Sequence, residues 1–336
     1  MLSKRRVFNL SGFVMNPKIL VKSDDKTDPR YGIEPEKRSI EEYIKNGIVN
    51  LDKPSGPTSH QVVSWVKEIL HLKKAGHPGT LDPKVTGILP VALENSTRIL
   101  QALLLAGKEY ITLMKLHEDV NDKKLGETLS YFQGKIFQRP PLKSSVKRQL
   151  RIKSIYSIKL IERSDNFVLF SVDCEAGTYI RKLCHDIGLV LGTGAHMEKL
   201  RRTRSGPFTE KNIVTLHELK DAYEFYIEEG DENYLRKCIL PREYGVQHLK
   251  KIWIKDTAVS AICHGADLNA PGISKFDPEI DMNELVAIMS LKNELVATGR
   301  SLRTSEEIDQ MEKGKVIDLE RVVMEPDVYP RKWHTS

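Results

Sequence analysis

The chain has 336 residues, of which 40% are hydrophobic and 29% are charged, and its formal net charge is +6 at pH 7. This length allows one large domain or two, with a substantial buried core. No apolar stretch is long enough to span a bilayer, and none follows the basic N-terminus, so we expect neither a membrane protein nor a secreted one. The four cysteines lie far apart without a Cys-x-x-Cys pair, which favours free thiols in the cytoplasm over disulfides or zinc ligands.

Positive charge is concentrated in two parts of the chain. Between Gly134 and Arg163, nine Lys or Arg residues stand against one acid, Glu162. The opposite sign gathers between Glu224 and Glu232. Charge runs usually form solvated faces, but this one-sidedness favours a surface that contacts phosphates. The second basic cluster comprises Lys199, Arg201, Arg202 and Arg204.

The first half of the chain mixes short helices and strands. Helices are indicated by a proline near the start, a glycine past the end, or a Ser or Thr before the first turn. The predicted elements are a helix from Pro35 through Tyr43 that ends near Gly47, a strand at Ile48–Leu51, a helix capped by Thr58 or Ser59, a short apolar run at Pro90–Leu93, a helix capped by Ser96 that runs through Leu104, and a strand at Tyr110–Leu116.

The second half continues this mixture without regular β-α-β spacing. It therefore predicts an α+β fold with a mixed, largely antiparallel sheet and helices, followed beyond a boundary near residues 246–250 by a small β-rich unit. The predicted elements are strands at Ile155–Ile161 and Phe167–Cys174, a helix opened by Gly177-Thr178 that runs through Leu191, an acidic helical segment from Thr215 to Tyr244, and strands at Glu284–Met289, Glu294–Gly299 and Lys315–Met324 with a hairpin turn at Lys292-Asn293.

One carboxylate, Asp82, stands in a stiff loop rich in glycine and proline. It is the only acidic residue between Glu68 and Glu94. Pro83 pushes Asp82 towards an extended backbone, which would present the carboxylate on a protruding loop. Taken alone, Leu-Asp-Pro is more often an Asx turn than a catalytic group.

Two further positions could carry chemistry. Thr178 is a reasonable helix cap and would place Arg181 in the first helical turn, where the helix dipole disfavours a cation. Arg181 therefore needs an anionic partner, either Asp82 or an RNA phosphate, unless it simply extends into water. Tyr110, near the start of a strand, is either a core residue or a stacking platform for a base.

Five motifs then follow one another between about residues 45 and 208. In this order they resemble the motifs of the TruB family of pseudouridine synthases. They are Gly47-x-x-x-Leu51-Asp52-Lys53-Pro54-x-Gly56-x-Thr58-Ser59, Gly76-His77-x-Gly79-x-Leu81-Asp82-Pro83-x-x-Thr86-Gly87, Lys108-x-Tyr110, Gly177-Thr178-Tyr179-Ile180-Arg181, and Leu200-Arg201-Arg202.

Other segments are similar to the dyskerin-type branch of that family, in its archaeal form. They are Gln138-Arg139-Pro140-Pro141-Leu142-Lys143 and His185-Asp186-Ile187-Gly188, together with a segment from Gly265 to Ile273 that resembles a PUA RNA-binding domain. The resemblance implies a pseudouridine synthase fold at residues 41–247, a PUA domain at 248–336, and an N-terminal extension at 1–40 that packs on the PUA domain.

The resemblance also implies the activity, the conversion of uridine in RNA to pseudouridine, with no metal or other cofactor. Asp82 would be the catalytic carboxylate, paired with Arg181. Tyr110 would stack on the extruded base, and Tyr179 would line the pocket and act on a proton. The expected substrate-binding residues are His77, Lys53 (which could instead support the loop), Leu200, Lys143, Lys147 and Arg148, and the expected guide-RNA contacts in the PUA domain are Gly265, Ala266, Leu268, Pro271 and Gly272.

Three functions are compatible with these motifs. The first is the catalytic subunit of an H/ACA ribonucleoprotein that modifies rRNA under a guide RNA, and this reading implies three small protein partners: a zinc-bearing protein, a Gly/Arg-rich-type protein and a kink-turn binder. The second is a stand-alone synthase for the TΨC-loop uridine of tRNA. The third is an RNA-binding scaffold without catalysis, against which the retention of Asp82, Tyr110 and Arg181 argues.

Overall fold

The computed structural model describes residues 19–140 and 149–331. Its regular structure divides about equally between strands and helices. The strands are β1 (Leu20–Val21), β2 (Gly47–Lys53), β3 (Ala75–Gly76), β4 (Thr86–Leu93), β5 (Lys108–Leu116), β6 (Gly134–Gln138), β7 (Arg151–Ser164), β8 (Phe167–Cys174), β9 (Ala195–Ser205), β10 (Phe208–Thr209), β11 (Leu240–Pro241), β12 (Lys250–Ile254), β13 (Leu268–Asn269), β14 (Ile273–Phe276), β15 (Leu285–Met289), β16 (Leu295–Ser301) and β17 (Lys315–Val322).

The α-helices are short and lie between groups of strands. They are α1 (Ile40–Lys45), α2 (Ser59–Ile69), α3 (Leu100–Leu105), α4 (Asp122–Tyr131), α5 (Ile180–Leu191), α6 (Leu216–Glu229), α7 (Asn233–Cys238), α8 (Asp256–Cys263) and α9 (Ser305–Gln310). Short 3-10 segments occur at Pro35–Lys37, Glu94–Ile99, Glu210–Asn212, Arg242–Val246 and Ala270–Gly272. None of the helices in the described parts of the chain is long and apolar enough to cross a membrane.

The strands form two sheets. The larger has the order β11-β2-β4-β9-β5-β8-β7-β6, with β3 and β10 paired at its margins, and the smaller has the order β1-β14-β12-β15-β16-β17-β13. Pairing is antiparallel apart from β4 with β9 and β12 with β15. The predicted α+β class, with a largely antiparallel sheet and a separate β-rich unit, is confirmed.

Several predicted element boundaries are wrong. Pro35 begins only a 3-10 turn, and α1 begins at Ile40, where the Ser39 side chain caps the helix by accepting from the Glu42 amide. Ser96 does not cap a helix, because it lies buried inside the 3-10 segment that precedes α3. By contrast, Thr58 caps α2 through a reciprocal pair of bonds with Gln61, as predicted.

The described part of the N-terminal extension contacts the smaller sheet. β1 pairs with β14, and the buried Asp256 carboxylate accepts from the Thr27 hydroxyl and the Asp28 amide. The Lys292 ammonium donates to backbone carbonyls of residues 29, 31 and 32. Residues 1–18 lie outside the described residues, and the domain limits at residues 40 and 247 stay predictions.

The two sheets also share buried surface. One apolar cluster joins Ile48 and Ile88 of the larger sheet to Trp253, Leu295 and Val323 of the smaller unit. Beside it, Glu243 binds Arg38 through both carboxylate oxygens and accepts from the Leu295 amide. Apolar packing and the bond from the Leu295 amide to Glu243 therefore connect the two units directly.

Candidate active site

The loop that carries Asp82 is pinned on both sides of the aspartate. On one side, Ser59 at the start of α2 accepts from the Leu81 amide at 2.9 Å and donates to the Leu81 carbonyl at 3.1 Å. On the other side, the Gly56 amide donates to the Pro83 carbonyl, and the Val85 amide donates to the Asp82 carbonyl. Since these bonds fix the backbone, the loop presents Asp82 on a rigid support.

Lys53 also supports the Asp82 loop. Its ammonium donates to the carbonyls of Pro54 at 2.8 Å, Pro83 at 3.0 Å and Val85 at 3.0 Å, and the residue has no exposed surface. Burial lowers the pKa of Lys53, while the nearby Asp82 charge opposes that shift. These contacts favour loop support, one of the two roles that the sequence left open for Lys53, over direct contact with substrate.

Asp82 and Arg181 form the ion pair that the sequence suggested. The Arg181 Nη2 lies 2.7 Å from the Asp82 Oδ2. The pair remains open to solvent, with 65% of the Arg181 side chain and 56% of the Asp82 side chain exposed. A carboxylate that is both held and accessible can act on a substrate that comes from outside.

Arg181 occupies the first turn of α5, as predicted, but the cap is not Thr178. The Thr178 hydroxyl donates to the Glu175 carbonyl, and Tyr179 takes the position before the helix, without a side-chain capping bond. Gly177 has φ +78°, a left-handed conformation that favours glycine. Residues 175–179 thus form a tight turn between β8 and α5.

The loop that carries Asp82 packs against an apolar cluster through Leu81 and Val85. Tyr110, Leu81 and Ile180 belong to one buried cluster, and Leu200 packs against it. Tyr110 is 9% exposed, and burial raises its pKa, against the effect of the neighbouring Arg202 guanidinium. The sequence left core burial and base stacking open for Tyr110, and the structure shows that little of its ring is accessible.

His77 lies half-buried near the start of the same loop. Its Nδ1 accepts from the Gly79 amide, and its ring meets the His60 ring edge-on at a centroid distance of 5.2 Å. Burial, then the His60 and Arg202 charges, lower the pKa of His77 to about 4. At neutral pH His77 is uncharged and can offer a nucleotide a hydrogen bond, whereas a charged contact with phosphate would need the imidazolium.

Three members of the second basic cluster are bound within the protein, and the expected contact of this cluster with phosphates stays a prediction. Arg201 binds both carboxylate oxygens of Asp52, and Arg204 binds Asp173. Arg202 is 2% exposed and donates to the Ile88 and Gly79 carbonyls. Of the cluster, Lys199 alone is mostly exposed. Arg202 thus supports the Asp82 loop from inside the fold, while Arg201 and Arg204 form ion pairs with carboxylates on β2 and β8.

The first basic segment is described in part. Lys143, Lys147 and Arg148 lie outside the described residues, so their expected contacts with substrate stay predictions. Within the described part, Lys153 pairs with Glu175, and Arg163 pairs with Asp119 and Asp122.

The residues expected to contact RNA in the smaller unit differ in exposure. Gly265, Ala266 and Pro271 are exposed, and Gly272 is half-buried. Leu268 is 1% exposed and belongs to the core of this unit, so the structure corrects its assignment as an RNA contact. In the described part of the chain, no cluster of three or more His, Cys, Asp or Glu side chains is arranged to hold a metal ion.

Sequence reasoning missed two residues that build this site. Ser59 was quoted in the first motif and as a possible helix cap, and Arg202 in the last motif and in the second basic cluster, but neither was given a role in the site. In the structure, Gly87 has φ +99°, and a Cβ at that position would come 2.2 Å from the Arg202 carbonyl. That close approach places Arg202 directly against the strand that follows the Asp82 loop.

Known protein families match almost the whole chain. Residues 67–180 match the TruB family pseudouridylate synthase (N terminal domain), and residues 181–247 match the tRNA pseudouridylate synthase B C-terminal domain. Residues 250–323 match a PUA domain, and residues 14–63 match a DKCLD (NUC011) domain.

Curated relatives and solved structures are similar over comparable lengths. Proteins named "Probable tRNA pseudouridine synthase B" from Methanopyrus kandleri and Pyrococcus furiosus are 57% and 56% identical, over 96% and 94% of this chain and 95% and 93% of their own. A Cbf5-Nop10-Gar1 complex contains a chain with 55% identity and a TM-score of 0.90, covering 94% of this chain and 97% of that one. An H/ACA RNP bound to a substrate RNA containing 2′-deoxyuridine contains another, with 53% identity and a TM-score of 0.89, covering 95% and 98%.

The matches to pseudouridylate synthase domains and to a PUA domain identify the chain as an RNA-modifying enzyme that isomerises uridine. The chain belongs to the TruB family of pseudouridine synthases.

Proposed function

We propose that this protein is the catalytic subunit of a guide-RNA-dependent H/ACA ribonucleoprotein that isomerises uridine to pseudouridine in rRNA, with Asp82 as its catalytic carboxylate. The observation that carries this proposal is the solvent-accessible Asp82–Arg181 pair on a pinned loop. Support for the assembly comes from the similarity to chains in an H/ACA particle with substrate RNA and in a complex with Nop10 and Gar1.

The reaction breaks the C1′–N1 bond, rotates the base, and joins C5 to C1′. The C5 hydrogen is released to solvent, and N1 gains a proton, so atoms balance without a redox step. Asp82 acts at the sugar or the base when the glycosidic bond breaks, and Arg181 keeps the carboxylate aimed.

The target uridine must leave its stack to reach Asp82, which costs a few kcal/mol. Stacking on an open aromatic ring offsets about 1–3 kcal/mol. Because only 9% of Tyr110 is exposed, we assign it a smaller contact than full stacking, in which only the edge of its ring meets the base. Tyr179 and Leu200, both half-buried, line the pocket in this proposal, and His77 contacts the displaced nucleotide in its neutral form.

The rest of the chain holds RNA and partners in the same proposal. The PUA domain grips the guide RNA through the exposed Gly265, Ala266 and Pro271 with the adjoining Gly272, and the N-terminal extension packs on that domain. Lys143, Lys147 and Arg148 contact substrate RNA. The partners are a zinc-bearing protein, a Gly/Arg-rich-type protein and a kink-turn binder, and we place the assembly in the cytoplasm.

Tritium release from 5-tritiated uridine tests the proposal. The particle is assembled with a guide RNA, and release is compared with and without the guide, with a guide of altered pairing sequence, and with Asp82→Ala. We expect release that follows the guide sequence and disappears in Asp82→Ala. Release that ignores the guide would refute guide dependence, and guide-dependent release by Asp82→Ala would refute the role of Asp82.

A second substrate is favoured by the names of the curated relatives, which refer to tRNA. We propose that the same site also modifies the TΨC-loop uridine of tRNA without a guide. Release from bare tRNA transcripts, lost when that uridine is replaced by cytidine, would support this activity. Failure to release tritium from any RNA would leave only the scaffold function.

A further inference from the structure

Gln138 is a buried amide that begins one of the segments quoted above, but the resemblance gave it no role. It is 1% exposed and ends β6. Its Oε1 accepts from the Tyr179 amide at 2.9 Å, and its Nε2 donates to the Tyr179 carbonyl at 3.1 Å. One side chain therefore holds both backbone polar groups of the residue that precedes α5.

The opposite end of the same turn is held by β7. The Lys153 ammonium binds the Glu175 carboxylate and the Ala176 carbonyl, both at 2.7 Å. The Ser154 amide also donates to Glu175, and the Glu175 amide donates to the Ser154 carbonyl. Two neighbouring strands thus clamp residues 175–179 at both ends, and Arg181 follows two residues later.

We propose that Gln138 is a positioning residue for the reaction, whose amide fixes the Tyr179 backbone and thereby aims Arg181 at Asp82. This inference rests on the catalytic role proposed for Asp82.

The start of α5 needs such an external anchor. Tyr179 supplies no side-chain cap, although its carbonyl already accepts the Leu183 amide in the first helical turn. Arg181 also stands where the helix dipole disfavours a cation, so little within the helix itself fixes its position. Because Arg181 and Asp82 are both exposed, water can replace their contact whenever the turn shifts.

The chemical requirement at position 138 is specific. An amide accepts from an N–H and donates to a C=O at the same time, whereas an ionised carboxylate only accepts. A protonated carboxylic acid regains one donor and can replace the amide. Substitution by glutamate therefore turns the clamp into one that works only when that side chain is protonated.

The charged surroundings allow this test. On the strand that pairs with β6, Arg151 is exposed, and Lys153 is already bound to Glu175 on the turn. Burial raises the pKa of a carboxyl group, so a glutamate at position 138 would be protonated in mildly acidic solution.

The experiment compares Gln138→Glu with wild type in the assembled particle, by single-turnover tritium release between pH 5.5 and pH 8. We expect the variant to be about 10- to 100-fold slower than wild type at pH 8, the scale of a displacement of about 1 Å, and to approach wild type at pH 5.5. RNA affinity should change less than about threefold. Gln133→Glu, an exposed glutamine just before the same strand, is the matched control and should follow wild type at every pH.

If the ratio of the Gln138→Glu rate to the wild-type rate does not change with pH, whether the variant is fully active or slow, the proposal is overturned. If the glutamate variant does not fold, Gln138→Ala and Arg181→Ala are combined instead. Residues that act through one another are not additive, so adding Gln138→Ala to Arg181→Ala should change the rate less than about twofold. A further tenfold loss would show that Gln138 acts elsewhere. If wild type itself releases no tritium, the proposed function fails rather than this inference.

Discussion

Replacing Lys53 by methionine tests whether the Asp82 loop needs its buried support. The change keeps an unbranched apolar side chain that ends where the lysine Cε lies, and it removes the ammonium, which binds three carbonyls on a residue with no exposed surface. Pro83 keeps its bond from the Gly56 amide, and Pro54 is exposed and can bind water. Val85 therefore carries most of the cost, because its buried carbonyl loses its ammonium partner.

One buried acceptor without a partner costs about 1–3 kcal/mol. Removing the ammonium also removes the cost of burying a charge, which the lowered pKa of Lys53 reveals. We expect a net loss of about 1–2 kcal/mol in the free energy of unfolding. The single-turnover rate should fall more steeply, by about 100-fold, because a displacement of about 1 Å at the reacting group has that effect.

The assay pairs urea unfolding with tritium release by the assembled particle. Lys84→Met is the matched control, since Lys84 is exposed on the same loop, and it should leave both quantities close to wild type. If Lys53→Met unfolds more easily but isomerises uridine within threefold of wild type, Lys53 does not position the loop and the reasoning fails.

Three further predictions follow from charges in the fold. Arg201→Gln should leave the salt dependence of RNA binding unchanged, because Arg201 is bound to Asp52 and Glu210. Lys199→Gln should reduce the slope of log affinity against log salt concentration by about one if Lys199 meets a phosphate. A reduced slope in Arg201→Gln and an unchanged slope in Lys199→Gln would contradict the role of Arg201 as an ion-pair partner within the protein. Glu243→Gln should lower the free energy of unfolding in urea by about 3–5 kcal/mol, since it leaves Arg38 and Arg242 buried without their anion, and a loss below 1 kcal/mol would contradict this. The pKa of His77 is about 4 in the fold, while an unfolded histidine gains a proton near pH 6.5. The free energy of unfolding should therefore fall as pH drops between these values, and it should fall less steeply in His77→Gln. An equal dependence on pH in both proteins would show that burial does not lower the pKa of His77.

The sequence predicted much of the fold, because apolar periodicity and turn residues are local signals. Strand β8 matches its predicted limits, and the Thr58 cap of α2 follows from the residues beside it. The cap of α5 was missed because Thr178 bonds backward to Glu175. A local pattern does not show which of two competing bonds a hydroxyl makes.

Within the site, motif order identified Asp82 and Arg181 and offered Lys53 as a loop support, but the contacts of Gln138, Ser59 and Arg202 were not foreseen. Gln138 and Tyr179 are 41 residues apart in the chain and meet only because β6 lies beside the turn before α5. Arg202 was expected at the surface because charge runs usually face solvent, but the parallel pairing of β4 with β9 buries it. Tertiary contacts of this kind leave no periodic trace in one sequence.

The central claim is that the exposed, arginine-paired Asp82 is the catalytic group of pseudouridine formation. The most direct test is to map pseudouridine at nucleotide resolution in RNA treated with the assembled wild type and with Asp82→Asn, with RNA affinity measured in parallel. The asparagine keeps the shape of the side chain and removes its charge. The account predicts unchanged RNA binding and no pseudouridine from Asp82→Asn, and pseudouridine formed by that variant at a rate near wild type would contradict it.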